Sequence, residues 1–489
     1  MLKQDIVKEE IDREEIKAVI KPEIAMLGKR LAVLQQKIKE EEIPVIVVFE
    51  GWGTAGKGSL IGKTILNLDP RGFEVFAIKE PTEIEKKKPF LNRFWQKIPG
   101  KGEIAVFDKS WYYAYNKDKM QHINMFERQL TDNGYVLIKI FLHIRQKEQT
   151  ERLEKLKHDR NSEWRVTKED IRENQHYDKM LKKYEQMLAD TDQECARWKI
   201  LSGMEKHLAL RNVLRVIIEA IEQALAYKKE HQSLCRTGII PGKMDFPRLQ
   251  MPKLADTDAD RTITDKEYKT KLDFLQKKLH DLSYTLYQKQ IPLIICYEGW
   301  DAAGKGGNIK RVVAGLDPRY YDVIPIAAPD IYEAGRHYLW RFQKNIPEAG
   351  EIRIFDRTWY GRVMVERIEG VCSRQDWKRA YNEINEFEHG LVQWGAIVVK
   401  FWLQITKDEQ LLRFQERQNT PEKNYKITDE DWRNREKWDK YEEAVNDVLK
   451  YTSTTFAPWT IVASDCKKYA RIQALETIIA AIEERLEKK

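Results

Sequence analysis

The chain has 489 residues, 42 % hydrophobic and 33 % charged. That is too apolar for a disordered chain and too polar for a membrane protein. Its 85 basic and 78 acidic residues leave a net charge of +7, which argues against a histone-like nucleic-acid binder but suits an anionic substrate if the excess gathers in a cleft.

The five cysteines (Cys195, Cys235, Cys296, Cys372, Cys466) show no CxxC spacing and read as reduced thiols, not as a disulfide or zinc framework. Apolar runs such as Val45–Phe49 and Leu293–Tyr297 fall far short of the roughly 20 residues that a bilayer requires. The opening MLKQDIVKEEIDREE has no apolar core of a secretory signal. A cytoplasmic protein of two to four domains is expected, at roughly 150 residues per domain.

In chain order, the first predicted element is a charged helix over Ile24–Glu41. It is followed by the apolar run Val45–Phe49 and then EGWGTAGKG from Glu50. Leu68-Asp69-Pro70-Arg71, Arg93-Phe94, Phe107-Asp108 and Trp111-Tyr112 come next, then Phe126-Glu127, Arg152, Asp178 and Trp198. Residues 233–261 read as a linker: GIIPGK, two further prolines and the polar run ADTDAD mark an exposed connection.

The elements then recur. A helix is predicted over Tyr268–Gln288, where Leu272, Leu275, Leu279, Leu282 and Leu286 recur at steps of three or four and build one apolar face. EGWDAAGKG begins at Glu298, 248 residues after its counterpart, and the same offset holds through Trp359-Tyr360. Beyond Tyr360 the offset becomes 261, pairing Phe387, Arg413, Asp439 and Trp459 with Phe126, Arg152, Asp178 and Trp198, so the second copy carries 13 extra residues. The chain is a tandem duplication, 1–232 and 262–489. Further apolar runs at Ile352–Phe355 and Ala396–Leu403, alternating with helices, predict parallel sheets covered on both faces.

Gly299–Gly306, GWDAAGKG, fits G-x-x-x-x-G-K between an apolar strand and a helix beginning near Gly307. This is the context of a phosphate-binding P-loop. Backbone N–H groups of such a loop curl around phosphate oxygens, the helix N-terminus adds its dipole, and Lys305 adds a mobile charge. Gly306 stands where an ordinary triphosphate loop has the Ser or Thr that ligates Mg²⁺. Asp301 lies inside the loop instead. It could hold Mg²⁺ through water or orient an incoming nucleophile.

The strand Ile352–Phe355 ends in Asp356, where a P-loop protein reaches its metal; Arg357, Arg362, Glu366 and Arg367 follow. Arginines beside a metal carboxylate suit a phosphate chain, since guanidinium groups bind phosphate in bidentate fashion. Farther on, Arg413 and Arg417 share one helical face, and Asn419, Pro421 and Asn424 break the helix. A helix–loop–helix lid carrying Arg413, Arg417, Lys423 and Lys426 is expected to close over phosphates.

EGWDAAGKG, FDRTWYGRVMVERIEG and TSTTFAPWTIVASD closely resemble the polyphosphate kinase 2 family, and the tandem form resembles its two-domain, AMP-using class. The resemblance implies transfer of the terminal phosphoryl group of inorganic polyphosphate to AMP, giving ADP, with Mg²⁺ as cofactor. It also implies two three-layer αβα P-loop domains related to thymidylate kinase, with helical lids. On this pattern Asp301, Lys305, Asp356, Arg357 and Arg417 are catalytic, and Asp301 and Asp356 hold the metal. Gly299, Ala302, Ala303, Gly304, Gly306, Arg362, Glu366, Arg413 and Lys426 bind substrate. Polyphosphate and AMP or ADP are then the partners, without nucleic acid or membrane, and a homodimer is open. Phosphorylation of nucleoside diphosphates, an ATP-dependent nucleotide kinase and a non-catalytic polyanion-binding protein are the alternatives.

The first copy departs from the pattern. Gly53 stands for Asp301, Lys109 for Arg357, Tyr113-Ala114 for Gly361-Arg362 and Leu156 for Arg417. Lys57, Asp108 and Arg152 remain. A catalytically dead, pseudo-symmetric partner is expected.

Overall fold

A computed structural model describes residues 2, 12–158, 160–231, 234, 246–422, 424 and 427–487. Two compact units emerge. One comprises Met1–Pro81, Phe90–Arg236 and Ile331–His337; the other comprises Thr82–Pro89, Thr237–Asp330 and Tyr338–Lys489. These units depart from contiguous halves by two short segments, which an offset that follows the chain does not register.

The first unit holds β1 (Val45–Gly51), β2 (Phe73–Ala77), β3 (Ile104–Asp108), β4 (Val136–His143) and β5 (Trp198–Ser202), all parallel in the order β2-β3-β1-β4-β5. The second holds β6 (Leu293–Gly299), β7 (Tyr321–Pro325), β8 (Ile352–Asp356), β9 (Ile397–Gln404) and β10 (Trp459–Ala463), in the equivalent order β7-β8-β6-β9-β10. Strands β1, β4, β6 and β9 are buried over almost their whole length, as their mostly apolar runs require, with Lys139 and Lys400 the buried charges within β4 and β9. The edge strands β2 and β7 are mostly exposed, and β7 ends in Pro325, which an edge tolerates.

Helices cover both faces. Lys21–Glu40 packs on Lys206–His231, and Asp265–Gln288 packs on Lys467–Glu487. Of the leucine stripe on Asp265–Gln288, Leu275, Leu279 and Leu286 are buried, while Leu272 and Leu282 are half-buried at its margins.

The predicted linker behaves differently over its described end. Leu249 N–H donates to the Ser453 carbonyl at 2.8 Å, Leu254 N–H donates to Asn446 Oδ1 at 3.0 Å, and the Leu254 side chain is buried. Residues 246–261 are therefore a strap on the second unit, pinned by Phe246 against His389 and Phe456 and by buried Leu254 just before the polar run. GIIPGK lies outside the described residues.

Because all strands of a sheet run one way, their C-terminal ends share one edge. That edge carries Gly51 and Asp108 in the first unit, and Gly299 and Asp356 in the second. Ligands of open α/β sheets bind beyond this edge.

Candidate active site

In the second unit, β6 ends at Gly299 with φ +152°. A Cβ there would lie 2.7 Å from the Leu403 carbonyl oxygen on β9, so only glycine fits. The chain turns through Trp300, Asp301, Ala302 and Ala303 to Gly304 (φ +102°), the N-cap of the helix Lys305–Val313. Ala302 also takes a positive φ, +62°. Ser464 Oγ donates to the Ala303 carbonyl at 2.7 Å and holds the loop against the end of β10. Nothing lies within 4 Å of a Cβ built on Gly306. The missing hydroxyl at that position is therefore not a packing requirement.

Lys305 Nζ donates to the Gly299 and Trp300 carbonyls at 2.7 and 3.2 Å. Burial pushes its pKa down, and Asp301 resists most, with Asp356 and Glu298 on the same side. Asp356 closes β8, paired in register with Tyr297, and Arg357 follows in a left-handed conformation, φ +65°. That geometry costs a non-glycine residue about 1 kcal/mol or more, and it swings the guanidinium back onto the loop. Arg357 donates to Asp301 Oδ1 at 3.2 Å. Burial opposes its charge, but Asp301, Glu298, Glu430 and Asp356 outweigh it, and the guanidinium pKa rises.

Buried Glu298 accepts from the Thr358 N–H and hydroxyl, both at 2.7 Å. Its pKa is raised by burial, against the pull of Thr358, Lys305 and Arg357. The four residues Asp301, Lys305, Asp356 and Arg357, called from the sequence, thus meet at one place.

The other sequence candidates fall elsewhere. Arg413 is 4 % exposed and donates to the Ala302, Ser464 and Asp465 carbonyls at 2.9, 2.6 and 2.8 Å and to Glu409 at 2.5 Å. Its fork braces the loop. Arg152 braces Thr54, Gly203 and Met204 in the same way in the first unit, so its retention there is explained by packing. Arg362 pairs with Glu366 at 2.6 Å and lies over the Tyr338 ring, with its centre 5.0 Å from the centroid; neither residue lines the cleft beside Asp301. Arg417 is half-buried on the lid helix Lys407–Gln418, and Lys423 and Lys426 lie outside the described residues.

Several site residues were not legible as such. Trp300 stacks on Trp438 at 3.6 Å and 7°, fixing the loop to the helix that follows the lid; Trp52 and Tyr177 repeat the stack at 4.0 Å and 9°. Trp300, Trp402, Tyr441, Met364 and Val365 make an apolar cleft around Asp301. The 13-residue excess supplies part of that wall. It is tied to the foot of the lid by Glu369, which accepts from Lys437 at 2.6 Å, and by Arg367, which donates to Asp447 at 2.7 Å.

The donor set of the site is oxygen from the two carboxylates Asp301 and Asp356. Among the described residues no group of three or more His, Cys, Asp or Glu side chains forms a metal cage. Two carboxylates beside a phosphate site fit Mg²⁺, which keeps several waters and takes its remaining ligands from substrate phosphates.

In the first unit the place is taken by acids of its own lid helix, Lys168–Gln175. Glu173 accepts from the Gly53 N–H at 2.9 Å, and Lys109 pairs with Glu169 at 3.1 Å. A Cβ on Gly53 would sit 2.1 Å from Asp170 Oδ1.

The family model "Polyphosphate kinase 2 (PPK2)" matches residues 14–230 and 262–489. A polyphosphate:AMP phosphotransferase of Pseudomonas aeruginosa is 39 % identical over 482 residues, covering 96 % of this chain and 95 % of that protein. An NDP-polyphosphate phosphotransferase of Ruegeria pomeroyi is 36 % identical over 224 residues, 46 % of this chain and 74 % of that protein. A crystal structure from Pseudomonas aeruginosa described as a polyphosphate kinase 2 matches with a TM-score of 0.85 at 36 % identity, covering 99 % of each chain. With both copies matched by one family model and the full length matched by a relative and a fold, the chain belongs to the polyphosphate kinase 2 family.

Proposed function

We propose that this protein transfers the terminal phosphoryl group of inorganic polyphosphate to AMP, and that the second unit does the chemistry. The observation that carries this reading is the convergence of Asp301, Lys305, Asp356 and Arg357 at one sheet edge, in a chain similar over its full length to a polyphosphate:AMP phosphotransferase. The relative named for nucleoside diphosphates matches less than half of the chain.

The loop N–H groups, Lys305 and Arg357 hold the polymer end, and Arg417 approaches with the lid. An oxygen of the AMP phosphate attacks the terminal phosphorus in line. The bond from that phosphorus to the bridging oxygen breaks, and the polymer leaves one unit shorter with its charge on the former bridge. Lys305 and Arg357 neutralise that charge, and Asp301 orients the attacking group. Phosphoryl transfer needs positioning and charge compensation more than covalent help. A bound Mg²⁺, held by Asp301 and Asp356, would supply further neutralisation across the transferred group. The first unit has Gly53 for Asp301 and an acidic lid over its loop, and it acts as a non-catalytic partner.

Chromatography of products from AMP, GMP and ADP, each with polyphosphate or ATP as donor, tests the reading. ADP formation from AMP and polyphosphate, abolished by EDTA and restored by Mg²⁺, is the expected result. Faster turnover of ADP than of AMP would move the acceptor to nucleoside diphosphates. Activity with ATP alone would overturn the donor. No nucleotide product under any condition would leave a polyanion-binding protein.

A further inference from the structure

Asp301 is held from three sides. Asn434, on the lid helix Asp429–Glu436, donates Nδ2 to Asp301 Oδ2 at 2.9 Å, and Arg357 donates to Oδ1 at 3.2 Å. Gln410 donates to the Asp301 carbonyl at 3.1 Å and is itself steadied by Arg435 at 3.2 Å. The orientation of the Asn434 amide is fixed from behind: Tyr441 donates its hydroxyl to Asn434 Oδ1 at 3.4 Å, which leaves Nδ2 facing Asp301.

The first unit keeps the glutamine of this scaffold. Gln149 donates to the Gly53 carbonyl at 3.2 Å, and Asn174 donates to Gln149 at 3.1 Å. Its other supports differ, with Lys109 for Arg357, Asn174 for Arg435 and Met180 for Tyr441, and so do the two facing positions. The loop has Gly53 for Asp301, and the lid, at the constant offset of 261, has Glu173 for Asn434. Glu173 accepts from the loop N–H of Gly53 at 2.9 Å. The acid of this contact thus stands on the loop in the second unit, as Asp301, and on the lid in the first, as Glu173 with Asp170 beside Gly53. Two carboxylates at that separation would repel, and a neutral donor opposite an acid does not.

We infer that Asn434 is a positioning residue for phosphoryl transfer: it fixes the Asp301 carboxylate as the lid seats on the loop. The inference rests on the reading of Asp301 as a working residue of the site. Asn434 acts through Asp301 and Arg357, not on the substrate. Its effect should appear in kcat more than in the KM for polyphosphate.

The test compares Asn434→Ala with Asn434→Asp in the full chain. Ala removes the donor and should lower kcat about tenfold; Asp, nearly isosteric, removes the donor and adds a like charge, and should lower kcat about 100-fold. Both should change the KM for polyphosphate less than about threefold, and hydrogen exchange over 429–436 should quicken in both. A side chain needed only for packing predicts the reverse order, with Asp milder than Ala, and that order overturns the inference. Wild-type kcat and exchange in Asn434→Asp overturns it as well. Asp301→Asn keeps the two ideas apart. If it retains turnover, the reading of Asp301 fails. If it abolishes turnover while Asn434→Asp is harmless, only the role of Asn434 fails.

Discussion

Lys400 Nζ lies 2.7 Å from a Glu388 carboxylate oxygen with neither side chain exposed, and Lys139 stands in the same relation to Glu127 in the first unit. Each lysine also donates to a tyrosine hydroxyl and a threonine carbonyl: Tyr360 and Thr452, or Tyr112 and Thr191. Burial pushes the Lys400 pKa down, and Glu388 resists. Such a pair contributes little over a well-packed apolar replacement, but breaking it strands a charge. Lys400→Met should therefore destabilise the second unit by about 3–5 kcal/mol. Lys400→Met with Glu388→Gln should recover part of that, since glutamine still accepts from Trp359, which bonds Glu388 at 3.0 Å. Denaturation midpoints of the two variants check the order.

Arg413 makes the loop a rigid object. Its fork spans carbonyls from the loop and from the chain after β10, a geometry one ammonium cannot reproduce. Arg413→Lys should cost at least about 2 kcal/mol through carbonyls left unpaired and should lower kcat as the loop loosens. Arg417→Ala, at a half-buried position of the lid helix, should weaken turnover of polyphosphate without a comparable loss of stability. Thermal midpoints measured beside steady-state kinetics separate the two arginines.

Much of this could be read from the chain because repetition and period carry it. Apolar runs marked β6, β8 and β9 despite Arg353 and Lys400 within the last two, and the spacing of glycines and Lys305 marked the loop. The edge strands β2 and β7 escaped, since partial exposure removes the apolar signal. Arg413 was misplaced because spacing puts two arginines on one face but does not say which one turns inward. Asn434 was overlooked because an amide has no motif; laying the two copies side by side does bring Asn434 against Glu173 as it brings Asp301 against Gly53.

Asp301→Asn should nearly abolish turnover, whereas Gly53→Asp should leave turnover close to wild type and damage the first unit instead. The new Cβ would lie 2.1 Å from Asp170 Oδ1 and 2.9 Å from its Cγ. Asp170 cannot easily retreat, since it accepts from the Thr167 N–H and hydroxyl at 2.9 and 2.6 Å. Overpacking of this kind costs about 1–3 kcal/mol, and the added charge would face Asp170 and Glu173. A lowered first unfolding transition with unchanged ADP production is the expected outcome, and lost production would place chemistry in the first unit.

Cys372 bears on how the protein answers thiol reagents. Its pKa is pushed up to about 11, first by burial and then by Glu366 and Asp376, against Arg362. Its Sγ donates to the Arg362 carbonyl at 3.8 Å. The thiolate is the reactive form, and at pH 8 roughly one thiol in a thousand is ionised at such a pKa. Alkylation of Cys372 by iodoacetamide should therefore be negligible at pH 8. It should quicken about tenfold for each pH unit up to about 10 and level off near 11. Peptide mass spectrometry across that range reads the labelling at this one position. Rapid modification at pH 8 would mean that the thiol is neither buried nor faced by Glu366 and Asp376 in solution.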